Sequence, residues 1–372
     1  MTEPTVTCLV PTHNRANFLR RWFAFYVQFP PGFEVVVVDS SQPDMVLKNS
    51  ALVRAHSSAL RSRHLVLDLS FISKIRHALE EVETPWVCLC ADDDIVLPSA
   101  VRRSAEFLSQ EPRYVSAQGR SARVKPSRRW FGHNHLKGYS IEDDDPLIRC
   151  QRLAETWFTN FYAVYRTDTL LEMFRLTEAH SDCRVTYALA EMLLSQLSAI
   201  RGRIRVLPFM HLIMEVHPAT TSVQRRGLVW EDFAVQYQSF RICLATQLTR
   251  AGVDPTIAGS YIDRQFVRFR DPRLSHQNPR RTVAAWMQYW GRSARERWVD
   301  WFHGVNVRHQ RSIRAGDIAG TEAEWGAAVG LMRAFPDGLP TGIPADPACL
   351  PNAFKMPNTG TNPAKTADQG KP

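Results

Sequence analysis

The sequence predicts an α/β fold built on a largely parallel sheet, on three observations. Strand-length apolar runs alternate with segments of helical spacing, the connections are short, and polar clusters sit where the runs end. Strands covered on both faces read as unbroken apolar runs, and these have that character.

TVTCLVPT, Thr5 to Thr12, is the first strand, β-rich and closed by a proline. RANFLRRWFAFYVQF follows with Phe18, Leu19, Trp22, Phe25, Tyr26 and Phe29 at helical spacing, until PPGF breaks it. EVVVVDSS, Glu34 to Ser41, is a second continuous run reaching Asp39, and RHLVLDL, Arg63 to Leu69, a weaker third. Ser70 to Glu83 is an amphipathic helix with Ile72, Ile75, Leu79 and Val82 on one side. PWVCLCADDD is the fourth strand, and PSAVRRSAEFLSQEP a helix opened by proline and closed by Pro112. VSAQGRSARV reads as a strand pair, followed by a loop-rich insertion in which EDDDP, Glu142 to Pro146, is a solvated turn. NFYAVYRTDTLLEMFRL runs from strand into helix; TYALAEMLLSQLSAIRGRIRVLP is a helix, a stop at Gly202 and a strand. Ligands of open α/β sheets bind at the carboxyl ends of strands. Thr12 to Arg15, Asp39 and Asp92 to Asp94 all fall there.

At 372 residues the chain exceeds one ordinary domain. The expected division is a catalytic unit over 1–225, an Arg- and Trp-rich helical region over 226–335, and a disordered tail over 336–372, rich in Pro, Asn, Thr and Gly. Within the helical region, AAWMQYWGRSARERWVDWF reads as core, although its aromatic and arginine residues would also suit an anionic membrane surface. The seven cysteines are scattered without zinc or redox spacing, which predicts reduced, buried thiols in a cytoplasmic protein. The N-terminus has an acid at position 3 and no basic region, so no signal peptide is expected. LPFMHLIM, the longest candidate apolar run, is strand-sized, so the protein should be soluble or at most peripheral at the inner membrane face. A net charge of +9 favours anionic partners, but nucleic-acid motifs are absent and no nucleic acid is expected to bind.

The chemistry concentrates in Asp92, Asp93 and Asp94, between the apolar runs WVCLC and IVLP. Adjacent carboxylates repel, and apolar flanks argue against a solvated tail, so either a cation or burial with protonation has to relieve them. Mg²⁺ and Mn²⁺ accept one or two carboxylates and take the rest from phosphate oxygens, so the triplet predicts a metal that arrives with a diphosphate.

With these motifs the sequence resembles the inverting family 2 glycosyltransferases of the GT-A fold, and among them a bacterial and archaeal branch with CADDD at this strand end. VPTHNR, VVVVDSS, SKIRHALEEVETPWVCLCADDDIVLPSAV and GRIRVLP occur in the family's order over residues 5 to about 210. The resemblance implies a nucleotide-sugar donor, Mn²⁺ or Mg²⁺, and a glycan, lipid-linked or protein acceptor. It places Pro11 and Thr12 against the nucleobase, Asp39 on base or ribose, and Arg15 and Lys74 toward the donor. Asp92 would touch the ribose, and Asp93 would hold the metal with Asp94 beside it. The family usually has two acids after the second strand, where this chain has Asp39 and Ser40. The base that deprotonates the acceptor is expected at the start of the helix before GRIRVLP, which points to Glu191, with Asp182 as its rival. Glu191 is the lone acid in an apolar helix, a costly place for a buried carboxylate. A loop after the last core strand would cover the diphosphate, with His217 as an added metal ligand and Arg225 and Arg226 on phosphate; a basic connector is the alternative for the arginines.

Two other functions compete. A sugar-phosphate nucleotidyltransferase would share the α/β order, but its first loop is Gly-rich, whereas PTHNRANF contains no glycine. A basic, non-enzymatic nucleic-acid binder would draw on the +9 charge alone.

Overall fold

A computed structural model describes residues 6–124, 135–136, 138–155, 158, 160–181, 187–215, 230–266, 311–312 and 315–341. Its frame is an eight-stranded mixed sheet. In chain order the sheet's strands are β1 (Val6–Thr12), β2 (Glu34–Asp39), β3 (Ser62–Val66), β4 (Trp86–Leu89), β5 (Ile95–Val96), β6 (Tyr114–Val124), β8 (Val164–Arg166) and β9 (Arg203–Glu215). A two-residue β7 (His135–Leu136) pairs instead with β10 (Arg311–Ser312), antiparallel. The spatial order is β3-β2-β1-β4-β8-β6-β9-β5. The first four strands are mutually parallel, and β8 is antiparallel to both neighbours. β9 runs parallel to β6 and β5 antiparallel to β9. Hence β1, β2, β4, β6 and β9 all point their carboxyl ends at one rim.

Every residue of β1 and β4 is buried, because helices cover both faces. One face carries α1 (Ala16–Gln28), α2 (Pro43–His56), α4 (Pro98–Gln110) and α10 (Glu322–Ala334), packed on Cys8, Val10, Val35, Val37 and Cys88. The other carries α3 (Phe71–Glu80), α6 (Thr167–His180) and α7 (Tyr187–Arg201) on the side of Leu9, Val36, Val38, Val87 and Leu89, with α5 (Pro146–Glu155), α8 (Trp230–Arg250) and α9 (Pro255–Gln265) packed on these helices in the same hydrophobic cluster. Ser70 caps α3, its Oγ accepting from the Ser73 amide at 3.3 Å.

Several elements depart from the sequence reading. α2 was not expected, since Leu47 points outward and only Asn49, Leu52 and Val53 are buried, too narrow a stripe for a periodicity signal. The parallel β2–β3 pair nevertheless requires such a crossover. The expected strand pair at 115–124 is one long strand, β6, whose bulges keep it in register with β9. The EDDDP turn is partly tied down: Tyr114 Oη donates to Glu142 at 2.8 Å, and Arg205 pairs with the same carboxylate at 2.5 Å. The C-terminal helices do not stand apart. α8 packs on α7, while α10 lies on α1 and β9 within the same core. Leu339, at the start of the predicted tail, is fully buried. The aromatic segment 284–302, most of that tail and the loop with Arg225 and Arg226 lie outside the described residues. No helix among the described residues is long and apolar enough to cross a membrane. Cys8, Cys88, Cys90, Cys150 and Cys243 are free and buried.

Candidate active site

Asp92, Asp93 and Asp94 lie just beyond β4 and are buried at 2%, 6% and 7% exposure. Their neighbours come from several elements. The Arg15 guanidinium, at the start of α1, reaches Asp92 at 3.2 Å and Asp93 at 2.6 Å. Thr12 Oγ1 donates to Asp92 at 2.7 Å. Asp94 accepts from Tyr162 Oη at 2.6 Å and from the Glu215 amide at 2.9 Å. Beneath them the buried Arg21 guanidinium donates to the Asp93 carbonyl at 3.0 Å and pairs with Glu215. Arg15 is thus the cation set against the neighbouring carboxyl groups of Asp92 and Asp93, while Arg21 holds the Asp93 backbone and pairs with Glu215.

That compensation is incomplete. Burial pushes Asp92 up to about 6, opposed by Arg15 but aided by the neighbouring Asp93. Burial, followed by the charge of Asp93, lifts Asp94 well above the usual carboxylate range. For Arg15 burial disfavours the charge, but Asp92 and Asp93 more than reverse this and hold it firmly protonated. Carboxyl groups raised in this way would be drawn back to the ionised form by an added cation. Among the described residues no three His, Cys, Asp or Glu side chains converge as a ready-made metal cage. The donors are all hard oxygens, so they fit an ion that brings phosphate ligands with it, as Mg²⁺ and Mn²⁺ do.

The adjoining floor is made by β1, β2 and α3. Lys74 is buried, and its Nζ donates to the Thr12 carbonyl at 2.7 Å and Ser40 Oγ at 3.0 Å. Burial lowers it to about 8, against the pull of Asp92 and Asp39. His13 Nδ1 lies 2.7 Å from the Ser40 carbonyl. Asn14 adopts a left-handed φ of 55°, and its side chain accepts from the Gln42 amide at 2.8 Å, fastening the β1 loop to the β2 loop. Asp39 has no exposed surface. It accepts from the Ser41 amide at 2.8 Å and Asn49 Nδ2 at 2.8 Å, and pairs with His64 Nε2 at 3.0 Å. Burial alone would raise its pKa; the bonds from His64, Ser41 and Asn49 outweigh that and bring it to about 2. Asp39 therefore braces the loop from inside.

The helix topology brings the start of α7, which carries Glu191, toward the same rim. Arg76 pairs with Glu178 and Arg175 with Glu80, so α6 runs antiparallel to α3 and ends beside the first turn that carries Lys74. α7 then returns to the far end at Gly202, next to Arg113. Its start, with Glu191, faces the rim side. Glu191 is exposed, so the cost of burying a carboxylate, which singled it out in the sequence, is not incurred. Asp182 and His217 lie outside the described residues. Pro11 is buried in β1, beside Thr12.

Sequence reasoning missed Arg21, Tyr162 and Glu215. Glu215 carried a usable signal, because it ends the apolar run FMHLIM as Asp39 ends VVVV. Arg21 carried none, since its partner lies 194 residues away.

Residues 7–174 match the profile of Glycosyl transferase family 2. No curated protein sequence matches the chain. Among solved structures, S. aureus TarS 1–349 is similar at 17% identity, with 77% of each chain covered and a TM-score of 0.51. The same protein in complex with UDP-GlcNAc is similar at 17% identity over 71% of this chain and 73% of that one, again with a TM-score of 0.51. At these identities the solved structures speak for the fold, and the family profile for the chemistry. With the strand order and rim already described, residues 7–174 are a Glycosyl transferase family 2 match, carried on a fold shared with these GT-A glycosyltransferase structures.

Proposed function

We propose that the chain transfers a sugar from a nucleoside-diphosphate donor to a glycan, lipid-linked or protein acceptor, with inversion and with Mn²⁺ or Mg²⁺ at the acidic loop. The observation that carries this reading is the burial of Asp92, Asp93 and Asp94 at the rim, under a guanidinium that supplies only part of the charge they need. A divalent ion bound there would stabilise charge on the departing diphosphate, chemistry worth several kcal/mol. Asp93 and Asp94 would hold it, joined by His217. Thr12 and Asp92 would face the nucleoside, Arg15 would turn from Asp93 to the diphosphate, and Lys74 would fix the β1 loop beneath it. Glu191, or Asp182 in its place, would take the proton from the acceptor hydroxyl, a role typically worth ~10²–10⁴ in rate. UDP-GlcNAc, the ligand of the TarS complex, is the first donor to try.

The test is a panel of nucleotide sugars with Mn²⁺ or Mg²⁺, read as thermal shift and as donor hydrolysis. One donor should stabilise the protein only with metal, and Asp93→Ala should lose that response. A donor response that needs no metal, or survives in Asp93→Ala, contradicts the assignment of the loop.

A further inference from the structure

The buried Arg21 guanidinium holds three parts of the chain that are remote in sequence. It donates to the Asp93 carbonyl at 3.0 Å, pairs with the Glu215 carboxylate, and donates through Nη1 to the Phe335 carbonyl at 2.8 Å. The third partner belongs to a segment, 315–341, that the catalytic sheet does not need for its own hydrogen bonding. That segment is fastened along its length. Asp317 pairs with Arg120 at 2.9 Å; Glu324 accepts from Ser99 Oγ at 2.7 Å and its amide at 3.2 Å; and the Leu339 amide donates to the Asn17 carbonyl at 2.8 Å. Ala328, Leu331 and Met332 are buried against the α1 face. Gly338 makes the closest approach. A Cβ there would stand 2.5 Å from the Phe18 amide nitrogen and 2.6 Å from the Asn17 carbonyl oxygen, and its φ of +83° disfavours any side chain.

We propose that residues 315–341 form a strap that sets the acidic loop, and that Arg21 is the positioning residue that carries the strap's hold to Asp93. The Phe335 carbonyl fixes one arm of the guanidinium fork; the fork's rigid plane then fixes where the Asp93 carbonyl and Glu215 lie. Through the Glu215 amide the same constraint reaches Asp94. A lysine at position 21 would keep the charge opposite Glu215, but its single ammonium lacks the planar fork that spans all three acceptors. The functional consequence, though not the mechanical link, rests on the reading of this loop as the diphosphate site.

The experiment compares Gly338→Ala and Arg21→Lys with the wild type in the full chain. Gly316→Ala, where a Cβ meets open space, serves as the control. The first readout is amide hydrogen exchange of peptides spanning 90–96, which needs no ligand. Both variants should speed exchange there by roughly tenfold or more while peptides from β2 and α3 keep their protection, and Gly316→Ala should match the wild type. The second readout is affinity for UDP, then GDP, with Mn²⁺, which should weaken about tenfold in both variants. Exchange in 90–96 that stays at the wild-type rate in Gly338→Ala overturns the strap. Faster exchange of 90–96 in Gly338→Ala alongside an unchanged rate in Arg21→Lys overturns the role of Arg21, as does faster exchange spread evenly over the whole protein. Failure of the wild type to bind either nucleotide contradicts the functional reading and leaves the exchange result standing by itself.

Discussion

Replacing Arg15 with glutamine removes the guanidinium that bridges Asp92 and Asp93 and leaves a neutral donor of similar reach. The two carboxylate side chains are 1% and 7% exposed, whereas Arg15 is 28% exposed. Removing one member of a fully buried pair costs roughly 3–5 kcal/mol. Water can reach the vacated position here, and Asp92, already raised to about 6, can take up a proton instead. Both reduce the cost, to about 1–3 kcal/mol. At roughly 2 °C per kcal/mol for a chain of this size, melting should fall by roughly 2–6 °C. Calorimetry at pH 7 in EDTA measures that drop, and repeating it in Mn²⁺ tests the site. The ion should stabilise Arg15→Gln more than the wild type, because it no longer competes with a guanidinium for the Asp93 carboxylate. An unchanged melting temperature in EDTA would refute the argument that Arg15 neutralises the triplet. A Mn²⁺ increment no larger than the wild type's would refute the shared site.

Further outcomes follow from the same geometry. The Asp39 pKa is depressed from 3.8 to about 2, so the stability it contributes is present above pH 4 and lost as pH falls toward 2. The shift corresponds to about 2 kcal/mol, so urea unfolding of Asp39→Asn should show that loss at pH 6 and a smaller gap from the wild type near pH 3. A gap that does not narrow would mean that the carboxylate's charge is not what braces the loop. Glu191→Gln should retain donor binding and lose turnover by ~10²-fold or more. Full activity in that variant, together with a loss of this size in Asp182→Asn, would move the base to Asp182.

Much of the frame was legible because its strands are buried on both faces. VTCLVPT, EVVVVD and WVCL are built on apolar runs, and the structure buries nearly all of their residues. The rim was legible for the same reason: a polar residue terminating such a run has to sit at the sheet's edge. What stayed hidden depends on contacts at long sequence separation. α2 escaped because an outer helix with three buried residues has almost no periodicity to detect. Arg21 sits in RRW, on an aromatic helix where arginine reads as surface, and only the fold brings Glu215 and Phe335 to it. The packing of α10 on α1 was invisible because AEWGAAVGLMRA is a short, small-residue helix that could cover any apolar face. For Asp39 the position was legible and the partner was not: Asn49 and His64 come from the helix and strand that follow it.

The most direct test of the central claim is a crystal structure with Mn²⁺ and the donor identified by the panel. The account predicts an anomalous peak within ligand distance of the Asp93 carboxylate, shared with the donor's diphosphate, and Arg15 turned away from Asp93 toward phosphate. A donor bound elsewhere, with Arg15 still closed on Asp92 and Asp93, would contradict it.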